Sequence, residues 1–202
     1  MPRVCKSQLI QVAKTGQVVS FPTDTVPALG VLPESASLLF SLKKRSPDKP
    51  LILMGASTED LWQYVKGTLQ EFDVWQQIAQ RYWPGALTLV LPASSLVSTT
   101  INPTNSGTIG IRIPNHKTAQ EILAQTGCLA TTSSNLSGHP PLGTMKAISA
   151  MFIDVYTLDD SDLTSEEKYA GGIPSTVVKW TKKGWIILRQ GSVFIRQEET
   201  SE

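Results

Sequence analysis

Cysteine, histidine and long apolar runs are all scarce in this chain. Its 202 residues include two cysteines, Cys5 and Cys128, and two histidines, His116 and His139. Neither cysteine forms a CxxC pair, and nothing in their placement suggests a disulfide framework. The histidines lack zinc-site spacing and there is no His-Glu-x-x-His, so a metal held by dedicated ligands is not expected. Each histidine reads as a loop or helix-cap residue. A Gly-x-Ser-x-Gly elbow is missing, as are the Gly-x-x-x-x-Gly-Lys-Ser/Thr and Gly-x-Gly-x-x-Gly loops. Any nucleotide must therefore be held without the common phosphate loops. No stretch approaches the ~20 apolar residues of a membrane-spanning helix. The start, Met-Pro-Arg-Val-Cys-Lys, has no secretory apolar run, so a soluble, cytoplasmic setting without membrane contact is expected. A formal net charge of +1 gives no global reason to expect nucleic acid.

What is there is a globular composition, 41% hydrophobic and 17% charged. Apolar periodicity predicts helices over Ser7–Lys14, Ser35–Lys44, Leu69–Tyr82 and Thr144–Met151, one beginning at Thr58, and one from Asn115 or His116 to Gly127. Strands are predicted at Val18–Phe21, Leu51–Met54, Leu87–Leu91, Ile109–Ile113, Cys128–Thr132, Thr176–Trp180 and Trp185–Leu188. This alternation points to a single α/β domain with a twisted, largely parallel or mixed sheet. The domain is expected over residues 1–195, with a polar tail over 196–202. The aromatics of Leu69–Tyr82 keep helical spacing and read as core. The acidic stretch Asp154–Glu167 reads as a solvated connection.

The polar clusters fall after predicted strands or at helix ends, where α/β folds build their sites. Pro22-Thr23-Asp24-Thr25 follows one strand, and Lys43, Arg45 and Lys49 follow a helix. Ser133, Ser134, Asn135, Ser137 and Gly138 open from another strand as small donors and acceptors able to hold phosphate or carboxylate oxygens. Gly171–Thr176 and Arg189-Gln190-Gly191 complete the set. Cations among hydroxyl-rich loops suit a polyanion. Lys43 and Lys44 have a plainer reading as cations at a helix C-terminus. Arg112 does not, since it sits among Ile109, Ile111 and Ile113 and needs an anionic partner if buried.

Taken in order, Pro22-Thr23-Asp24-Thr25, Lys43-x-Arg45, Lys49-x-Leu51, Trp83-Pro84-Gly85-x-Leu87-Thr88, Ile111-Arg112-Ile113-Pro114, Ser133-x-Asn135-x-Ser137-Gly138, Ser175-Thr176-Val177 and Leu188-Arg189-x-Gly191 resemble the YrdC-type threonylcarbamoyl-AMP synthase family. The resemblance covers about residues 5–192. Several positions depart from that family's usual pattern: Pro27 and Ala28 stand where an aromatic and Gly are usual, Ser46 where Pro is, Ser134 where Ala is, and Met54 where some relatives have a histidine.

The resemblance implies an open twisted mixed α/β sheet with flanking helices and a positively charged concave cleft. It also implies a cytoplasmic nucleotidyltransferase. From L-threonine, bicarbonate or CO₂, and ATP, such an enzyme forms threonylcarbamoyl-AMP and pyrophosphate for the t⁶A modification of tRNA. By motif position, Arg45, Lys49, Thr108, Ser133 and Arg189 are expected to face ATP, with Mg²⁺ carried on it. Thr25, Arg112, Thr131 and Ser175 are expected to face threonine or its carbamate. Lys43, Arg45, Ser133 and Asn135 form the signature taken as catalytic. Downstream tRNA-modification proteins are implied as partners. The alternative is an RNA-binding protein of the same fold without synthase activity, contacting tRNA or double-stranded RNA; residues 1–50 hold seven basic and three acidic side chains.

Overall fold

The computed structural model describes residues 3–104, 106–167 and 171–195. Its first half runs β1 (Arg3–Val4), α1 (Lys6–Lys14), β2 (Val19–Phe21), β3 (Ala28–Val31), α2 (Ser37–Lys43), β4 (Ile52–Met54), α3 (Thr58–Trp62), α4 (Leu69–Tyr82) and β5 (Leu87–Pro92). It continues with β6 (Thr108–Arg112), α5 (Lys117–Thr126), β7 (Leu129–Ser133), α6 (Met145–Met151), β8 (Tyr156–Leu158), β9 (Thr176–Thr181) and β10 (Gly184–Arg189). All ten strands join one sheet, ordered β1-β8-β2-β3-β7-β4-β6-β5-β9-β10. Four pairings are parallel and five antiparallel, so the sheet is mixed.

Side chains alternate between the two faces along each strand. Register therefore sorts the central strands into two ladders. Val31, Ala130, Leu53, Ile111, Leu89 and Val178 stand side by side across β3, β7, β4, β6, β5 and β9, and all are buried. Fully burying one such branched side chain contributes roughly 1.5–3 kcal/mol. The opposite face carries Thr131, Ile52 and Gly110 in register, then Ala28 beside Ser133, Met54 beside Arg112, and Thr88 beside Val177. Polar groups concentrate on this second face, which becomes the floor of the cleft.

Local signals set the helix ends. Thr68 and Glu71 form a capping box at the start of α4, and Ser57 and Asp60 form one at α3. The His116 imidazole caps α5 by accepting from the Ala119 N–H, and Gly127, at φ 77°, ends that helix. Lys44 closes α2 in the left-handed region at φ 48°. Helix α1 packs on β2, β8 and α5, α2 on β3, and α6 on β2 and β8.

The acidic stretch Asp154–Glu167 is not the solvated connection its composition suggests. It contains β8, which lies between β1 and β2, and Val155, Thr157 and Leu158 are fully buried. Its acids flank the strand rather than occupy it, so charge masked a three-residue element. β1 and β3 likewise lie outside the expected strands; two or four residues give little alternation to read. The polar tail expected over residues 196–202 lies outside the described residues.

Candidate active site

One face of the central strands, with the loops beside it, forms an open cleft of about 190 Å³. Three arginines and six hydroxyl side chains line it: Arg45, Arg112 and Arg189, with Thr25, Thr88, Thr131, Thr132, Ser133 and Ser175. Pro27, Ala28, Pro50, Ile52, Met54, Pro174 and Val177 add apolar wall. Among the described residues that line it there is no carboxylate.

Arg112 sits on the cleft side of β6, 3% exposed. Its Nε donates to the Gly85 carbonyl at 3.0 Å, Nη1 to Thr25 Oγ1 at 2.8 Å and Nη2 to Asp24 Oδ1 at 2.6 Å. A guanidinium has five N–H groups, so these bonds leave one on each terminal nitrogen, a fork that matches a carboxylate. Burial depresses its pKa, and the Asp24 carboxylate works against that shift. Asp24 is thus the anionic partner that the apolar setting of Arg112 requires. It comes from the tight loop between β2 and β3, held by Thr23 Oγ1 donating to the Val26 carbonyl at 2.7 Å.

Lys43 ends α2 but does not point to solvent. It is 1% exposed, and its Nζ donates to the Ser133 carbonyl, to Thr132 Oγ1 at 3.2 Å and to Asn135 Oδ1 at 3.2 Å. Burial and the nearby Arg45 charge push its pKa down to about 7. Ser133 Oγ also donates to Asn135 Oδ1, at 2.5 Å. The lysine therefore ties the end of α2 to the loop after β7, against the plainer reading as a helix-terminal surface cation. Arg45 is aimed by its own loop, with Nε on the Lys49 carbonyl at 2.7 Å and Nη2 on the Pro50 carbonyl at 3.1 Å. Arg189 reaches from β10 to β9, donating from Nε and Nη2 to the Ser175 carbonyl at 3.0 and 2.8 Å. Ser175 Oγ and Thr88 Oγ1 lie 2.8 Å apart.

A family model covering Sua5, YciO and YrdC, described as telomere recombination, matches residues 11–191. The chain belongs to the Sua5/YciO/YrdC family. Among Sua5/YciO/YrdC relatives, the chain is 32% identical over 191 residues to a threonylcarbamoyl-AMP synthase of Pyrococcus abyssi. That alignment takes in 92% of this chain and 54% of the relative, so the chain spans about half the relative's length. It is 32% identical over 151 residues to a threonylcarbamoyl-AMP synthase of Vibrio campbellii, covering 73% of this chain and 80% of that protein. A solved structure of Pyrococcus abyssi Sua5 complexed with L-threonine superposes with a TM-score of 0.80 at 28% identity, over 94% of this chain and 56% of that one.

Of the residues singled out in the sequence, Thr25, Arg45, Arg112, Thr131, Ser133, Ser175 and Arg189 meet on this one lining. Lys43 and Asn135 stand behind it, joined to each other and to Ser133. Lys49 and Thr108 are not on the lining. Lys49 is exposed, and its carbonyl rather than its ammonium serves the site by orienting Arg45. Thr108 opens β6 on the same face as Arg112 but four residues away, and its hydroxyl lies 3.2 Å from Ser106 Oγ. Asp24, Thr88 and Thr132 also belong to the site, outside the residues expected there. The first two were visible inside the Pro22–Thr25 and Trp83–Thr88 motifs, but no spacing rule says which member of a motif turns inward.

No helix among the described residues is long and apolar enough to cross a membrane. Among the described residues no group of three or more His, Cys, Asp or Glu is placed to hold a metal ion.

Proposed function

We propose that this chain is an L-threonylcarbamoyladenylate synthase, a nucleotidyltransferase built on one domain over residues 1–195. It takes L-threonine, bicarbonate or CO₂, and ATP to threonylcarbamoyl-AMP and pyrophosphate. What carries this reading is one observation: Arg45, Arg112 and Arg189 converge on a hydroxyl-lined cleft whose described lining holds no carboxylate. Such a hollow suits anions at both ends and offers a free α-ammonium no carboxylate. A threonine that has captured CO₂ on its nitrogen loses that positive charge and becomes a dianion matched to the cleft.

Arg112 then clamps the threonine carboxylate through its two remaining terminal N–H groups, with Thr25, Thr131 and Ser175 around it. Arg45, Arg189 and Ser133 face the nucleotide phosphates. Lys43 and Asn135 hold the Ser133 loop in place, and Lys49 and Thr108 border the nucleotide from outside the lining. A carbamate oxygen attacks the α-phosphorus, the bond to the bridging oxygen breaks, and pyrophosphate leaves with the electron pair. Reactions of this kind depend on positioning and charge neutralisation more than on a protein nucleophile. Mg²⁺ would travel on the triphosphate, held by phosphate and water, since the lining offers it hydroxyls but no carboxylate. The product, a mixed anhydride, then passes to tRNA-modification proteins for transfer to the adenosine of t⁶A, in a cytoplasmic setting.

The test is pyrophosphate release from ATP. It is expected only with threonine and bicarbonate both present, and to be lost in Arg45→Ala and Arg112→Ala. Absence of release with any amino acid would overturn the reading. Lys44 and Lys49, both exposed on the loop after α2, favour a second role in touching RNA. Binding by that route weakens steeply with salt and persists when ATP and threonine are saturating.

A further inference from the structure

The end of β10 does not follow the register of the rest of its strand. Trp185, Ile186 and Ile187 oppose Trp180, Lys179 and Val178 in regular antiparallel order, and the next partner of Val177 should be Leu188. It is Arg189 instead, because the register shifts between Ile187 and Arg189. Val177 lies on the cleft face, beside Thr88. In unbroken register Leu188 would occupy that face and Arg189 would turn to the other. The extra residue re-aims the guanidinium, a common use of a bulge beside a site.

What holds the bulge lies two residues further on. A Cβ on Gly191 would come within 2.2 Å of the Pro174 carbonyl oxygen, 2.5 Å of the Thr176 nitrogen and 2.7 Å of the Ser175 carbonyl carbon. All three are backbone atoms at the start of β9, so no side-chain rotation relieves the contact. Only glycine lets the two segments close to this distance. The seat is also bonded: Gly191 N–H donates to Thr176 Oγ1 at 2.9 Å, and that hydroxyl donates to the Val193 carbonyl at 2.6 Å. The Ser175 carbonyl presented on this same stretch receives both Arg189 bonds.

We propose that Gly191 is a positioning residue that acts through Arg189: by seating the end of β10 on Pro174–Thr176, it holds the bulge that turns the Arg189 guanidinium into the cleft. The nucleotide role of Arg189 rests on the function proposed above; the seat and the bulge do not.

Two measurements on the full chain separate these claims. The first needs no ligand. In nitrogen-15 spectra the Arg189 Nε–H, bonded to the Ser175 carbonyl, is expected to be shifted and slow to exchange in the native protein. That signature is expected to vanish in Gly191→Ala and persist in Gly143→Ala, where an added Cβ meets nothing within 4 Å. Retention of the signature in Gly191→Ala overturns the proposal. The second is a double-mutant cycle on ATP affinity by calorimetry. Gly191→Ala and Arg189→Ala are each expected to weaken binding roughly tenfold or more, and the double variant no more than Arg189→Ala alone. Multiplying effects overturn the proposal, because Gly191 would then act by another route. Should the native protein bind no ATP while the first result holds, the nucleotide reading of the cleft falls and the positioning role stands.

Discussion

Asp24 Oδ1 lies 2.6 Å from Arg112 Nη2, with 15% of the aspartate side chain and 4% of the arginine side chain exposed. A buried guanidinium without its counter-charge is strongly unfavourable, and removing one partner of such a pair typically costs about 3–5 kcal/mol. Asp24→Ala is therefore expected to lower unfolding free energy by about that amount, and Asp24→Asn by about 1–3 kcal/mol because a hydrogen-bond acceptor remains. Urea denaturation gives the first reading and the KM for threonine the second, which should rise in both variants. A stability for Asp24→Ala within error of the native protein would contradict this account. Arg112→Lys is no conservative substitute, since one ammonium cannot reach Gly85, Thr25 and Asp24 in a single plane.

Lys43 supplies a pH dependence. Burial and the Arg45 charge bring its pKa down from the usual 10.5 to about 7. Between those values the unfolded chain holds a proton that the folded chain does not, so stability rises with pH across that window and is flat, for this group, below 7. A triphosphate in the cleft favours the protonated form. ATP affinity is thus expected to be greatest below pH 7 and to fall by up to roughly tenfold per unit as pH rises through it. Lys43→Met should remove that part of the slope, leaving only the titration of ATP itself. Calorimetry at pH 6 and pH 8 on both proteins is the check; equal slopes in the two would exclude Lys43 as the origin.

The contrast between α4 and β8 shows what the sequence could reveal. Leu69–Tyr82 carries apolar periodicity over 14 residues and a Thr68/Glu71 capping box, and its predicted bounds match the structure. β8 is three residues long among acids, and its burial follows from sitting between β1 and β2, a relation no local pattern encodes. The site divides the same way. Arg112 announced itself as a cation inside an apolar strand. Lys43 looked like a helix-terminal cation, because nothing local says that the Ser133–Asn135 loop, 90 residues later, closes over it. Lys49 lies in a motif beside Arg45, and Thr108 opens the strand of Arg112, but neither placement puts the side chain on the lining.

Glu167 predicts behaviour in acid. Its Oε1 accepts from the Thr118 N–H at 3.0 Å and hydroxyl at 2.7 Å, and its Oε2 from the Thr164 N–H and hydroxyl, both at 3.1 Å. Burial opposes ionisation, but these bonds outweigh it and hold the pKa at about 2. Its carboxylate docks at Thr118, on the N-terminal turn of α5, which adds the favour of the helix dipole. A carboxyl with a depressed folded-state pKa stabilises fully above its unfolded value of 4.5 and loses that contribution as pH falls toward 2. The stability gap between native protein and Glu167→Gln should accordingly be widest at pH 6 and shrink through pH 4 and pH 3. A gap that stays constant with pH would show that shape, not charge, is what Glu167 provides.

Trp75 joins the aromatic belt to the site. It is fully buried, 5.0 Å from the Phe72 ring and 6.3 Å from that of Trp180, whose indole N–H donates to Glu71 Oε1 at 2.9 Å. Trp180 in turn packs on Trp185, with centroids 5.1 Å apart. The belt thus fastens the β9–β10 hairpin, which carries Ser175 and Arg189, against α4. Trp75→Ala is expected to lower stability by about 3–5 kcal/mol, the usual loss for a large core aromatic. Trp75→Phe should lose clearly less, since the buried indole nitrogen makes no hydrogen bond that phenylalanine would forfeit. Both substitutions should raise the KM for ATP through Arg189 and, by less, that for threonine through Ser175, because Arg112 itself is held by Gly85 and the β2–β3 loop rather than by the hairpin. Chemical denaturation and the two KM values read this out; an equal rise in both would mean the belt supports the cleft as a whole.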